Sequence, residues 1–428
     1  PNGGLNCSHA SAGWPANPNE VLPFSRCDFQ APASVGSMGS LLMNVALLRP
    51  LRVYSLSLLL GLLAPRGARA ENSVSFKHQD YRESGGRVVI RTQGAYVEQD
   101  VGLSTVIKAE GVIDAIAGAT PNGQPAPAGS DQVPLAQLTE RRKAWAASVG
   151  HQFTRSRITL GVANSRESDY VSTGWSLNTQ TDFNQKNTLL LVGLAGSNDD
   201  IDVFYQTSSA KKRTQDFIVG VTQLLDPRTS LTLNLSAGRQ RGYLSDPYKL
   251  VQQRTEIIPG VFLPLTFAEN RPDERDKWIA LVTFNRAFPE AHGAAEMTYR
   301  VYHDSFETTA HTLDLSWFQQ LGERLILRPN VRFYEQSAAS FYRYRFDGTG
   351  IVPRAGPPRP EGPFYSSDYR LSEMRTFTAG LKGVWRVSDT LQFDLTYERY
   401  EMRGKDGLTP QSAYVRANIY TVGGKFSW

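Results

Sequence analysis

The chain has 428 residues, a formal charge of +5, and 20% charged against 11% aromatic residues. Its mean hydropathy of −0.35 is that of an ordinary soluble protein, and 36 Gly and 18 Tyr against 5 Met lean toward β-structure. Both cysteines, Cys7 and Cys27, lie in the first 42 residues, so the remainder excludes thiolate metal sites, iron–sulfur clusters and haem attachment.

In chain order, residues 1–42 show no periodicity and read as an upstream, non-native extension without ordered structure. Met43 opens a short basic start carrying Arg49 and Arg52. An apolar run from Val53 to Leu63 follows, and Ala68-Arg69-Ala70 stands before Glu71. That order predicts a secretory signal peptide over 43–70, cleaved after Ala70. Residues 1–70 carry five Arg and two acids, which leaves 41 cationic against 39 anionic residues in 71–428. A net +2 is too near neutral to argue for nucleic acid. No apolar stretch in 71–428 reaches the length of a transmembrane helix. An exported chain of this kind can still cross a bilayer with strands that are apolar on one face only.

Many segments alternate with period two. In 324–335, Leu325, Leu327, Val331 and Phe333 alternate with Arg324, Arg328, Asn330 and Arg332. In 391–400, Leu391, Phe393, Leu395 and Tyr397 alternate with Gln392, Asp394, Thr396 and Glu398. Sixteen strands are predicted, near 73–81, 87–99, 103–114, 140–153, 156–166, 173–183, 187–197, 211–224, 229–242, 274–286, 293–304, 310–319, 323–336, 370–386, 389–402 and 412–428. Strands 1, 2 and 7 are weakly patterned, so 14 or 18 strands also fit. The long connections, 115–139, 243–273, 337–369 and 403–411, all follow odd-numbered strands. Outer-membrane barrels have this parity, with short periplasmic turns and long external loops, whereas a β-sandwich has no reason to obey it. The sequence therefore predicts an all-β fold over 71–428: a transmembrane antiparallel up-and-down β-barrel. Its outer loops include the Pro-, Ala- and Gly-rich stretch 119–134 and the Pro-rich stretch 351–363.

With the apolar positions facing lipid, the inward charges are Lys108, Glu110, Asp114, Arg300, Asp304, Asp314, Arg324, Arg328, Arg332, Lys382, Arg386, Asp394 and Glu398. Two readings stand. The charges form a selectivity ladder in a pore, or they form a network that stiffens or closes the lumen. The last strand places Tyr420, Val422, Phe426 and Trp428 on one face and ends on an aromatic, which resembles the C-terminal signal read by the barrel-assembly machinery.

No catalytic residue and no metal ligand is assigned. His303, Asp304 and Ser305 adjoin, but neighbours on a strand point to opposite faces. No nucleophile elbow is present. Histidines lack metal spacing, and Asp199, Asp200 and Asp202 read as a solvated turn rather than a calcium loop.

Glu71-Asn-Ser-Val-Ser-Phe-Lys-His, Glu110-Gly-Val-Ile-Asp-Ala, the stretch Ser165 to Trp175, Gly242-Tyr-Leu-Ser-Asp-Pro-Tyr-Lys and Tyr302-His-Asp-Ser-Phe carry a family likeness. With His311-Thr-Leu and Phe341-Tyr, they resemble a family of proteobacterial outer-membrane proteins known only as a domain of unknown function. The resemblance covers 71–428 and implies a barrel without an established activity. It also implies genes beside a small lipoprotein, a thioredoxin-like protein and a flavin transferase, hence a lipoprotein or periplasmic redox partner. The expected function is a passive channel for small polar or ionic solutes in the outer membrane. The alternative is a closed scaffold for such a partner in envelope electron transfer. Neither needs a cofactor of its own.

Overall fold

The computed structural model describes residues 72–203 and 206–428. The expected extension and the signal peptide, including Ala68, Ala70 and Glu71, lie outside the described residues. Among the described residues no helix is long and apolar enough to cross a membrane.

Among the described residues eighteen strands form, of which sixteen close into one antiparallel barrel. In chain order the barrel strands of the first half are β1 (Ser73–Glu83), β2 (Val89–Val101), β3 (Thr105–Pro121), β4 (Leu135–Gln152) and β5 (Ser156–Arg166). β6 (Tyr170–Phe183), β7 (Thr188–Ile201), β8 (Ala210–Asp226) and β9 (Thr229–Gly242) complete it. β10 (Leu250–Ile258) and β11 (Val261–Ala268) pair only with each other. The second half is β12 (Glu274–Phe288), β13 (Gly293–Asp304), β14 (Thr309–Leu321), β15 (Leu325–Gln336), β16 (Met374–Arg386), β17 (Leu391–Gly404) and β18 (Arg416–Ser427). Each barrel strand pairs with its sequence neighbours, except that β9 meets β12, and β18 returns to β1 with Val74 opposite Phe426.

The sixteen-strand prediction holds, and the differences lie at the loop end. β3 and β4 run on to pair Pro121 with Leu135, so the Pro- and Ala-rich stretch begins inside a strand. Ladder hydrogen bonds there override the local composition. The β9–β12 connection, expected as loop, holds the β10–β11 hairpin. At the other end the strands are joined by tight turns, where Gly102 and Gly322 take φ of 68° and 63°, a conformation glycine adopts without a Cβ clash.

The period of two decides which face goes where. A side chain on the outside of an isolated barrel has nothing to cover it, so a buried strand residue must point inward. Ile116, Asp114, Gln336, Met374 and Met402 are buried, and each shares its strand's parity with the charged positions. The opposite face carries exposed apolar residues on every wall segment, such as Leu160, Phe333, Leu381 and Leu395. Aromatics bracket that belt. Trp145 stands on the outward face of β4 with exposed Phe153 just past its end, Trp175 and Phe183 on β6, and Phe377 and Trp385 on β16. Eight residues of strand span about 27 Å. At a tilt of about 40° this gives roughly 20 Å of height, near the apolar band of outer-membrane barrels.

Candidate functional site

The interior has two zones. Along the wall, inward charges pair across neighbouring strands, and in the case of Arg328 on β15 and Glu296 on β13 across the intervening β14. Lys108 meets Glu98 at 3.3 Å, Lys382 meets Asp394 at 3.3 Å, Arg328 meets Glu296 at 3.2 Å and Arg332 meets Asp314 at 3.1 Å. Higher up, Arg142 meets Asp114 at 2.5 Å, and Arg275 Nε donates to Asp304 at 2.7 Å. Glu398 accepts from Asn330, and the Arg300 guanidinium sits 5.8 Å from the Tyr302 ring centroid. Glu110 and Arg386 occupy the same inward face. Arg324 lies instead in the turn before β15, exposed beside Glu323 and Trp385, so it belongs to the rim rather than the wall. The strand starts at Leu325, two residues later than expected, because Gly322, Glu323 and Arg324 form the turn.

Inward glycines make these pairs fit. At Gly423 a Cβ would stand 2.3 Å from Asp394 Oδ2, so only glycine lets that carboxylate lie flat toward Lys382. The wall charges are not sealed. The Arg328 side chain is 37% exposed and that of Lys382 28% exposed, while Lys77, also inward, is exposed outright. These side chains face an accessible lumen.

The second zone closes the loop end. The connections 122–134, 337–373 and 405–415, with Leu244 of 243–273, pack against inward residues of β1–β4 and β15–β18 and against Phe306 of the β13–β14 turn in one apolar cluster. Phe306 and Phe341 meet edge to face at 5.0 Å, and Tyr369 and Tyr414 at 6.0 Å. The Tyr344 hydroxyl accepts from the Ala126 backbone N–H at 2.8 Å, and Tyr342 Oη lies 2.6 Å from Thr409 Oγ1. The long 337–373 connection is therefore folded into the mouth.

Within this cap lies a compact ionic hub with three cations and three anions: Lys249, Arg271 and Arg370 with Asp246, Glu269 and Asp368. Arg271 reaches Glu269 at 2.7 Å and Asp368 at 2.8 Å, while Arg370 reaches Asp246 at 2.6 Å. Lys249 donates to the Pro121 carbonyl, and Ser366 Oγ donates to Glu269 Oε2 at 2.5 Å. Burial pushes Glu269 up to about 7, against the pull of Arg271 and with help from the negative charge of Asp246 and Asp368. Asp368 is equally buried, yet Arg370, Lys249 and Arg271 together hold it well below the usual carboxylate range. Burial also lowers Lys249. A second buried carboxyl, Glu167 in the β5–β6 connection, is pushed up to about 8 by burial, against Arg142 and with help from Glu140, Asp169 and Asp114.

The remaining sequence candidates separate. His303 points outward, stacks on Trp278 at 5.9 Å and meets Thr309 at 3.0 Å, while Asp304 is buried on the inner face. Asp199, expected in a turn, lies inward on β7 and accepts from Tyr170 and Ser172. Asp200 points outward to Lys211, and Asp202 accepts from Ser209. The turn expectation fails because β7 continues to Ile201. Tyr420, Val422 and Phe426 lie exposed on the outer face of β18, with Trp428 stacked on Phe426 at 5.9 Å. The sequence pattern leaves out Glu98, Glu296, Arg142 and Arg275, whose inward parity is readable, Lys77, whose strand is polar on both faces, and the hub, which has no local signal.

The family described as "Protein of unknown function (DUF3570)" matches residues 62–420. No curated protein matches the chain. Among solved structures, the siderophore receptor PirA from Pseudomonas aeruginosa aligns at 11% identity and TM-score 0.41, over 84% of this chain and 62% of that one. The chain thus spans about three fifths of the length of that receptor. A bacterial polysaccharide outer membrane secretin aligns at 8% identity and TM-score 0.45, over 85% of this chain and 100% of that one. The CymD monoaromatic hydrocarbon channel aligns at 8% identity and TM-score 0.39, over 84% and 89%.

Proposed function

The chain belongs to that family of unknown function, and from this premise we propose an outer-membrane barrel that passes small polar or ionic solutes once its loop cap is displaced. The short turns and both ends of the barrel chain lie on the periplasmic side in this reading, and the cap lies outside. Its exported start, its insertion into outer-membrane lipid and the recognition of Tyr420, Val422, Phe426 and Trp428 by the barrel-assembly machinery belong to the same proposal. One observation carries it: the wall pairs Arg328–Glu296 and Lys382–Asp394 remain partly exposed inside the barrel. Ion pairs buried for stability alone are usually dry, and dry pairs contribute little because of their desolvation cost. A wet, mixed-sign wall suits transit of polar solutes. The reading assigns transport, not catalysis, and no cofactor.

A second reading is supported by the cap. Filled by aromatics and a neutral ionic hub, the mouth suits a closed scaffold for a lipoprotein or periplasmic redox partner. Planar-bilayer conductance separates the two. The channel reading expects rare openings from the intact protein and frequent ones after loop residues 340–366 are replaced by a short Gly/Ser linker. A folded, cap-deleted barrel that stays silent overturns it and leaves the scaffold.

A further inference from the structure

Above the apolar belt, the outward face of the barrel carries a collar of charge. Around most of the circumference it is neutralised. Arg82 pairs with Asp80 at 2.6 Å, Arg239 with Asp276 at 2.5 Å, Arg241 with Glu274 at 2.9 Å and Arg403 with Glu401 at 3.2 Å. Lys405 pairs with Glu335 at 2.7 Å, and Lys211 with Asp200.

The β4–β5 segment differs. Arg141, Lys143 and Arg166 are all exposed on the outward face, and Lys143 stands directly opposite Arg166 in the ladder. Arg141 follows two residues along β4, about 7 Å away. Among the described residues no carboxylate forms an ion pair with any of the three. Like charges set opposite each other weaken a sheet pair, so this arrangement costs stability unless an anion sits between them. On its other side, β3 presents Ile113 opposite Lys143 and the short Ala115 opposite Arg141, which leaves the triad open.

The level of the triad says what that anion is. Trp145 stands two residues below Lys143 on the same face, and Trp175 lies opposite Val162 on the next hairpin, both half exposed. Interfacial tryptophans mark the boundary of the hydrocarbon. Level with Trp175 is Val162, and below it run Leu160, Val149 and Ile158, an exposed apolar surface on which an acyl chain can lie. A ligand that fits has a phosphate at the height of the cations and hydrocarbon beneath it.

We propose that Arg141, Lys143 and Arg166 form a binding site for a phosphorylated lipid of the leaflet on the loop side. The guanidiniums supply planar, paired donors to phosphate oxygens, and the ammonium supplies a point charge. The site rests on the membrane reading of the barrel and is independent of whether the lumen conducts.

The test uses the purified barrel in detergent, with bisphosphorylated lipid A, its dephosphorylated form and inorganic phosphate as probes. Native mass spectrometry counts bound lipid, and heat-modifiable gel migration reports folding. Wild type should hold the phosphorylated lipid at least tenfold more tightly than the dephosphorylated one. Combined Arg141→Gln, Lys143→Gln and Arg166→Gln should remove that preference, while Arg239→Gln with Arg241→Gln keeps it. Should the triple variant not fold, Lys143→Gln alone and the wild-type comparison of the two lipids decide. Equal binding of both lipids, an unaffected triple variant, or full displacement by inorganic phosphate at matched concentration would overturn the proposal. Bilayer conductance of the triple variant tracks the channel reading separately.

Discussion

Arg271 Nη2 reaches Asp368 Oδ2 at 2.8 Å and so ties the β9–β12 connection to the β15–β16 connection across the barrel mouth. The two residues are 97 positions apart in the chain. Asp368 also holds Arg370, which in turn holds Asp246, so one carboxylate anchors both loops.

Asp368→Asn should therefore release the cap. It leaves two guanidiniums and Lys249 without their shared anion, and breaking a buried pair from one side costs about 3–5 kcal/mol. Hydrogen exchange over 243–273 and 337–373 should rise strongly, while the barrel strands keep their protection. Unchanged exchange in those loops would contradict the hub's role.

The cap should loosen as pH rises. Glu269 in the cap is held near 7, and Glu167 in the adjoining β5–β6 connection near 8, both above the ordinary value of 4.5. A carboxyl raised on folding stabilises the folded loop through its protonated form. That contribution is complete below about pH 4.5 and is lost as pH climbs through 7 to 8. Loop exchange measured from pH 5 to 9, corrected for intrinsic rates, should increase, and Glu269→Gln should flatten the part arising in 243–273. A cap that tightens with rising pH would refute this.

Much of this molecule is written locally, and the reason is geometric. Leu327 to Phe333 of β15 and Leu391 to Glu398 of β17 alternate because one face meets hydrocarbon and the other meets water, and the chain can satisfy both only with period two. β1 hides its parity. His78, Asp80 and Arg82 on its outward face are polar, since the strand rises above the apolar belt, so inward Lys77 does not stand out. The hub is illegible for another reason. Asp246, Glu269 and Asp368 meet only after the whole sheet has closed, and nothing in their local spacing records that. The β10–β11 hairpin is hard to read because Pro259 and Pro264 interrupt its pattern, although Gly260, at φ 78°, marks the turn.

Charge in the lumen should set ionic preference. In a cap-deleted barrel, Lys77→Glu with Lys382→Glu replaces two inward cations by anions beside Asp394. Reversal potentials in a salt gradient should move toward cation selectivity. No shift would mean that ions do not pass these residues.

Polarity of the faces should appear in stability as well. Leu395 is 60% exposed on the outer face of β17, between Phe393 and Tyr397. Leu395→Arg should cost about 2–4 kcal/mol in refolding into lipid vesicles, the range for Arg at the midplane. Thr396→Arg, one residue on and inward, should cost much less, since it can enter the wet lumen. Equal costs would argue against a membrane on that face.

The most direct measurement labels β17 with spin probes at single cysteines from Phe393 to Glu398 in vesicles, using the chain from Glu71, which carries no cysteine of its own. Accessibility to oxygen should peak at 393, 395 and 397, and accessibility to a water-soluble nickel complex at 394, 396 and 398. A flat profile, or the opposite phase, would contradict a barrel that faces lipid with its apolar side and holds its charges within.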